Sequence, residues 1–159
     1  MTGPKICIVI AYYDKWSVYL PVFLKDYENN NAIIDVILTT DMDDPIVSFP
    51  SNIKSVKYSL VQVSERVEII SSIKKSNFRP YKMRNLKPAY GHLFLKLIEG
   101  YDFWGSSDIE LIYGNLGRYF TDRILAKYEI VTLRDEWVSV ALILLEKNEK
   151  INTLFRRSK

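Results

Sequence analysis

Apolar and polar positions divide this chain into segments of two kinds. In the first kind, apolar residues follow one another without interruption or alternate with polar ones, which is typical of β-strands. Such runs predict strands at Lys5–Ala11, Ile33–Thr40, Ile53–Leu60, the run that begins at Tyr101, Tyr128–Leu133 and Val138–Leu145. The first run has no polar residue after Lys5, so we expect a strand that is buried on both faces, as in a parallel sheet.

In the second kind of segment, apolar residues recur every three or four positions, the spacing of one face of a helix. The spacing is clearest at Val63, Val67, Ile70 and Ile73. Together with proline near helix starts and glycine or asparagine near helix ends, it predicts helices at Val22–Tyr27, Val61–Lys75, Lys87–Ile98, Leu116–Lys127 and Lys147–Arg157. Strands that alternate with helices predict an α/β fold, here a three-layer, mainly parallel sheet flanked by helices.

The strongest candidate for chemistry is a pair of carboxylates, Asp108 and Glu110, at the end of the strand that begins at Tyr101. Residues two apart on a strand point to the same side, so we expect both carboxylates to reach one point. Mg²⁺ or Mn²⁺ suits such oxygen ligands and also binds phosphate oxygens. The alternative is a solvated turn with no ligand.

Two other predicted strand ends converge with this pair. Ligands of open α/β sheets bind beyond the carboxyl ends of the strands. The first strand ends at Ala11 and is followed by Tyr12 and Tyr13, and the second ends beside Asp41. The sequence therefore predicts one site that these three ends share.

Composition sets bounds on the class of protein. The 159 residues are 48% hydrophobic and 26% charged, which predicts a single globular domain. The net charge of +3 is spread along the chain, so we expect no nucleic-acid surface. The single cysteine, Cys7, lies in an apolar run, which favours a buried thiol and a reducing cytoplasm. Since no apolar run approaches the roughly 20 residues of a membrane span, we expect no transmembrane segment and at most peripheral attachment to a membrane.

Several functional classes lack their motifs here. No glycine follows the first strand, which excludes the dinucleotide-binding turn, and a Walker-type phosphate loop is absent. One histidine and one cysteine are too few for a transition-metal site of His and Cys ligands. Five of the six glycines lie between Gly91 and Gly117, around the carboxylate pair. This clustering indicates close backbone approach there.

Two segments carry a family resemblance. They are Arg79-Pro-Tyr-Lys-Met-Arg-Asn-Leu-Lys-Pro-Ala-Tyr-Gly91 and Tyr101-Asp-Phe-Trp-Gly-Ser-Ser-Asp-Ile-Glu-Leu-Ile-Tyr-Gly114. Together with the aromatic turn after the first strand and with Asp41, they resemble a bacterial, mostly uncharacterised glycosyltransferase family with the GT-A (nucleotide-diphospho-sugar transferase) fold. The similarity covers nearly the whole chain.

The resemblance implies a function and roles for individual residues. It implies metal-assisted transfer of a sugar from a nucleotide-diphosphate sugar donor to a glycan or lipid-linked acceptor during polysaccharide biosynthesis. Asp108 and Glu110 stand in the place of the Asp-x-Asp motif that binds Mn²⁺ or Mg²⁺. The base and ribose are then expected at Ala11, Tyr12 and Tyr13, the nucleoside near Asp41, and the diphosphate near Lys82 and Lys87. Each of these residues also has a purely structural interpretation, as a core or rim aromatic, a strand-end acid or a surface lysine.

Members of that family are usually longer than this chain. We therefore expect residues 1–159 to form a single GT-A-like nucleotide-sugar-binding domain that is shortened at its C-terminus. The alternative function is a catalytically incomplete domain that binds nucleotide sugars or another protein without turnover.

Overall fold

The centre of the protein is a six-stranded sheet. A computed structural model describes residues 3–45, 47–70, 78–134 and 136–157. The strands are β1 (Ile6–Ala11), β2 (Ile34–Thr40), β3 (Ile53–Lys57), β4 (Phe103–Ser107), β5 (Ile130–Thr132) and β6 (Leu142–Glu146). Their order across the sheet is β3-β2-β1-β4-β6-β5.

The sheet is mixed. β1 pairs in parallel with β2 and with β4, and β2 pairs in parallel with β3. β6 is antiparallel to both of its neighbours, β4 and β5. The expected α/β class is confirmed. The sheet was expected to be mainly parallel, but only the half from β3 to β4 is parallel, and the pairings of β6 are antiparallel.

Helical segments cover both faces of this sheet. The α-helices are α1 (Leu20–Glu28), α2 (Leu60–Ile70), α3 (Tyr90–Leu93), α4 (Asp122–Leu125) and α5 (Glu149–Asn152), and 3₁₀ helices occupy Pro80–Ala89, Leu116–Arg118 and Leu154–Arg157. On one face, Ile8 of β1 belongs to a buried cluster with Phe23 and Tyr27 of α1. On the other face, Val9 belongs to a cluster with Val67 of α2.

This double cover explains why β1 is apolar at every position. Ile6, Ile8 and Ile10 belong to the first cluster, and Cys7 and Val9 belong to the second. A strand with helices on both faces has no solvent side, so it lacks the alternation of a half-exposed strand. Burial, with a contribution from the charge of Asp35, raises the pKa of the Cys7 thiol to about 12.

The predicted helices differ most from the structure in the second half of the chain. The predicted helix at Lys87–Ile98 is α3 alone, preceded by the 3₁₀ helix that contains Pro88. The segment predicted as a helix at Leu116–Lys127 forms a 3₁₀ turn and α4. Thr121 interrupts it because its hydroxyl accepts a hydrogen bond from the Ile124 N–H as an N-cap. The part of the Val61–Lys75 prediction beyond Ile70 lies outside the described residues.

None of the helices in the described ranges has the length and apolar character required to cross a lipid bilayer.

Candidate functional site

A cleft of about 450 Å³ lies between the carboxyl ends of β1 and β4. β1 has β2 on one side and β4 on the other, so the direction of the chain across the sheet reverses between β1 and β4. Such a reversal leaves a crevice outside the strand ends, where ligands of open α/β sheets bind. The residues that line the cleft are Ile10–Lys15, Ser107–Glu110 and, from the 3₁₀ helix and α3, Pro80, Tyr81, Met83, Arg84, Lys87 and Tyr90.

The loop after β1 forms one wall of the cleft. Tyr13 is buried, and its hydroxyl donates a hydrogen bond to the Tyr58 carbonyl at 2.9 Å. Tyr12 is half-buried and stacks on Trp16, with ring centroids 6.1 Å apart. Partial burial raises the pKa of the Tyr12 hydroxyl, and the charge of Glu110 adds to the increase. Tyr12 and Glu110 both line the cleft.

Asp14 gives this loop a strained backbone. Its φ is 97°, in the left-handed region that residues other than glycine rarely adopt. Such a conformation costs on the order of 1–3 kcal/mol and is frequent where a loop is shaped for a ligand. Asp14 itself lines the cleft.

The 3₁₀ helix Pro80–Ala89 forms the opposite wall. A 3₁₀ helix has three residues per turn, so side chains three positions apart lie in one row. Tyr81, Arg84 and Lys87 line the cleft at this spacing, and Tyr90 of α3 continues the row. The Tyr90 hydroxyl donates to the Met83 carbonyl at 3.0 Å, which joins α3 to the 3₁₀ helix.

At the floor of the cleft, Lys87 and Asp108 form a largely buried ion pair. The Lys87 Nζ lies 2.5 Å from Asp108 Oδ1, and the two side chains are 5% and 27% exposed. The same Nζ donates to the Val140 carbonyl at 3.0 Å. Lys87 therefore joins a cleft carboxylate to the loop between β5 and β6.

The two candidate carboxylates lie on a turn rather than on the strand. β4 ends at Ser107, and Ile109, which is 2% exposed, packs into the core between the two acids. This burial bends the chain immediately after the strand. Asp108 and Glu110 both still line the cleft, but Glu110 is exposed to solvent.

Helix α1 and Asn30, just beyond its end, anchor the segment that follows this turn. The Asp26 carboxylate accepts the N–H groups of Tyr113 and Gly114 at 2.9 and 3.0 Å. The Asn30 side chain donates to the Gly114 carbonyl and accepts from the Leu116 N–H. Gly114 has a φ of 65°, a conformation that glycine adopts without strain. The carboxylate turn is therefore held by β4 before it and by α1 after it.

A row of hydroxyl groups supports the turn from below. The Tyr27 hydroxyl donates to Ser107 Oγ at 3.1 Å, and Ser107 Oγ lies 2.9 Å from the Tyr113 hydroxyl. The Tyr113 hydroxyl in turn donates to the Ala141 carbonyl at 2.8 Å. This row connects α1, β4 and the loop between β5 and β6 under the cleft.

Most of the predicted site residues meet at the cleft, but Asp41 and Lys82 do not line it. Asp41 follows β2, which lies on the side of β1 away from β4, and its carboxylate accepts the Leu60 N–H at the start of α2 at 3.3 Å. Lys82 lies on the 3₁₀ helix outside the row of residues at three-residue spacing. The residues brought together are Ala11, Tyr12, Tyr13, Lys87, Asp108 and Glu110.

The cleft residues that were not predicted from the sequence include Lys15, Tyr81, Arg84 and Tyr90. Tyr81, Arg84 and Tyr90 lie in the motif at residues 79–91. Together with Lys87, these residues recur every three positions, which is the period of a 3₁₀ helix. This spacing was present in the sequence, but a search for the α-helical period of 3.6 residues does not detect it.

The carboxylate turn fits a hard divalent cation only with help from a ligand. Within the described ranges, no group of three or more His, Cys, Asp or Glu residues could hold a metal ion. Mg²⁺ is nevertheless commonly held by one or two carboxylates, with substrate phosphates and water as the remaining ligands. Asp108 and Glu110 match that donor set.

A larger cleft of about 940 Å³ lies at the opposite ends of the strands, where β1 and β2 begin. Asp35, Glu99 and Asp122 line it. The Asp35 carboxylate accepts the Tyr101 hydroxyl at 2.9 Å. This cleft lies at the amino ends of the strands, away from the chain reversal, and contains none of the predicted site residues.

A family model described as "Family of unknown function (DUF6625)" matches residues 8–159. No curated protein and no solved structure matches the chain.

Proposed function

We propose that this chain, which belongs to the family of unknown function DUF6625, is a glycosyltransferase domain that binds a nucleotide-diphosphate sugar in the cleft between β1 and β4. One observation carries the proposal. Six residues predicted from sequence to bind the donor or its cation converge on a single cleft, although they come from three segments up to about 100 positions apart. That cleft also lies where open α/β sheets bind their ligands.

A GT-A-like fold is part of this proposal. The order β3-β2-β1-β4, with all three pairings parallel, supports it because it produces the crevice beside β1. The antiparallel β6 supports it in a different way. β6 runs back beside β4, so the loop that precedes it lies at the same edge of the sheet as the cleft, where Val140 contacts Lys87.

The cleft offers a separate group for each part of such a donor. Arg84 and Lys15 are exposed cations that suit the diphosphate. Tyr12 and Tyr81 present aromatic rings to the base or the sugar. When bound, a divalent cation would neutralise charge on the departing nucleoside diphosphate. Asp108 and Glu110 are the residues that would hold it, and Tyr13 and Tyr90 shape the floor.

A second candidate function is binding of a nucleotide sugar without turnover. The specific observation in its favour is the ion pair of Asp108 with Lys87, because an aspartate already neutralised by lysine is a weaker cation ligand. In this alternative the cleft binds the diphosphate through Arg84 and Lys15 alone. A cytoplasmic location belongs to both candidates and is supported by the buried free thiol of Cys7.

Thermal denaturation with a panel of ligands tests the proposal. UDP-, GDP- and CMP-sugars are each added with and without Mn²⁺. A ligand at one hundred times its dissociation constant stabilises the folded state by about 2.7 kcal/mol. For a domain of this size, that is a rise in melting temperature of about 5–10 °C. We expect at least one nucleotide sugar to produce such a rise.

Two matched variants locate the effect. Glu110→Gln removes a cleft charge, whereas Glu99→Gln makes the same change at the opposite ends of the strands. The shift should fall in Glu110→Gln and persist in Glu99→Gln. The proposal is wrong if no nucleotide sugar stabilises the wild type, or if both variants respond equally. Release of free nucleoside diphosphate from a stabilising donor distinguishes turnover from binding alone.

A further inference from the structure

Lys87 occupies an unusual position for a lysine. Its side chain is only 5% exposed. Lysine is almost never buried to this extent unless its charge has a partner. Its ammonium group donates to two acceptors, Asp108 Oδ1 at 2.5 Å and the Val140 carbonyl at 3.0 Å. The ammonium therefore has a fixed location against one of the two carboxylates expected to bind a cation.

This location places two cations in competition for one carboxylate. A divalent ion bound to Asp108 would lie within a few ångströms of the ammonium nitrogen, and like charges at that distance repel. Lys87 also reduces the charge that the carboxylate turn offers, since it neutralises Asp108, and no ion pair among the described residues involves Glu110. The turn by itself is thus a poor cation site.

A diphosphate would reverse this balance. Its negative charges would attract both cations, and its oxygens would supply the ligands that the turn lacks. Coupling between two ligands is reciprocal, so each would bind more tightly in the presence of the other.

We propose that Lys87 is a built-in counter-ion of Asp108 that keeps divalent-cation binding weak until a diphosphate enters the cleft. Lys87 is accordingly a positioning residue, and cation and nucleotide bind together rather than independently. This inference rests on the proposed function for the identity of the anionic ligand, but the effect of Lys87 on the cation can be measured without any nucleotide.

Manganese binding to the full chain, followed by electron paramagnetic resonance of the free ion, tests the inference. Lys87→Gln removes the charge and keeps a hydrogen-bond donor, and Lys87→Met removes both. Lys82→Gln is the matched control, because Lys82 is on the same 3₁₀ helix but does not line the cleft. Circular dichroism establishes that each variant is folded.

Without nucleotide, Lys87→Gln should bind Mn²⁺ at least about tenfold more tightly than the wild type. A neighbouring cation changes the ionisation equilibrium of a carboxyl group by about tenfold to a thousandfold, and we expect an effect on Mn²⁺ binding at the lower end of this range. Lys82→Gln should stay within about twofold. Adding Asp108→Asn to Lys87→Gln should abolish the gain. The inference is overturned if Lys87→Gln and Lys87→Met bind Mn²⁺ no more tightly than the wild type, or if neither binds it.

The wild type provides a test that does not depend on how well the variants fold. Mn²⁺ alone should leave its melting temperature unchanged. Stabilisation by Mn²⁺ alone as large as that by Mn²⁺ with UDP or GDP contradicts the inference. If no nucleotide stabilises the chain but Lys87→Gln still gains affinity for Mn²⁺, the proposed function fails and the role of Lys87 stands.

Discussion

The ion pair between Lys87 and Asp108 allows a quantitative prediction about stability. At 2.5 Å and an effective dielectric constant of about 20, two unit charges attract by roughly 7 kcal/mol before the cost of desolvation. Removal of one partner from a buried pair typically costs about 3–5 kcal/mol, because the other charge stays buried without compensation. Since the Asp108 side chain is 27% exposed, we expect Asp108→Ala to destabilise the fold by about 3 kcal/mol, at the lower end of that range.

Urea denaturation followed by tryptophan fluorescence measures this loss. Asp108→Asn keeps an oxygen that can accept from Lys87 Nζ, so it should cost less than Asp108→Ala. Glu110→Ala is the control, because Glu110 is exposed and a surface change of this kind usually stays within about 0.5 kcal/mol.

A double variant isolates the unpaired charge. Lys87→Met added to Asp108→Ala removes the uncompensated ammonium and should recover about 2 kcal/mol. The reasoning is refuted if the free energy of unfolding of Asp108→Ala lies within about 1 kcal/mol of the wild-type value. It is also refuted if the two substitutions are additive, so that Lys87→Met destabilises Asp108→Ala as much as it destabilises the wild type. A ligand test that used only Asp108→Ala would confuse loss of the site with loss of the fold.

Two further predictions concern other parts of the fold. Gly91→Ala should lower the free energy of unfolding by about 2 kcal/mol in the same urea assay, because a Cβ there would lie 2.4 Å from the buried ring of Trp104. The cost of this overlap should exceed the roughly 1 kcal/mol that alanine gains in helix propensity. A variant as stable as the wild type, or more stable, would contradict this packing. Burial and the charge of Arg156 lower the pKa of His92, the single histidine, below 6.5. The unfolded chain therefore takes up this proton first, and stability falls as the pH drops below about 6.5. NMR titration of His92 should give a pKa below 6.5 that rises in Arg156→Gln, and an unchanged pKa in that variant would exclude the charge effect.

The strands β1 and β2 were predictable because they are almost completely buried. Ile6–Ala11 and Ile34–Thr40 lie within one residue of their predicted ranges, since a continuous apolar run has few other stable arrangements. Strand direction was not predictable. Val138–Leu145 was expected as a strand, and the structure has β6 at Leu142–Glu146, antiparallel to β4. Apolar patterns carry no information about direction, which depends on the course of the preceding loop.

The candidate site was predictable where it follows strand ends and unpredictable where it depends on side-chain pairing. Tyr12, Tyr13, Asp108 and Glu110 meet at the cleft because β1 and β4 are adjacent and parallel. The contact of Lys87 with Asp108 joins residues 21 positions apart, and no local pattern indicates it. The close backbone approach predicted from the glycine cluster is a matter of core packing at Gly91 and Gly105. A Cβ at Gly91 would lie 2.4 Å from the Trp104 ring, and a Cβ at Gly105 would lie 2.2 Å from the Ile143 carbonyl oxygen.

The attachment of the segment after the carboxylate turn to α1 has a consequence for the thermodynamics of binding. Asp26 and Asn30 fix the backbone at Tyr113, Gly114 and Leu116 through hydrogen bonds that form without any ligand. Ordering a loop on binding costs about 0.5–1.5 kcal/mol for each side chain that is immobilised, and a turn that is already ordered avoids most of this cost. The chain has therefore met that entropic cost during folding, so a ligand that contacts the carboxylate turn does not have to order the segment behind it.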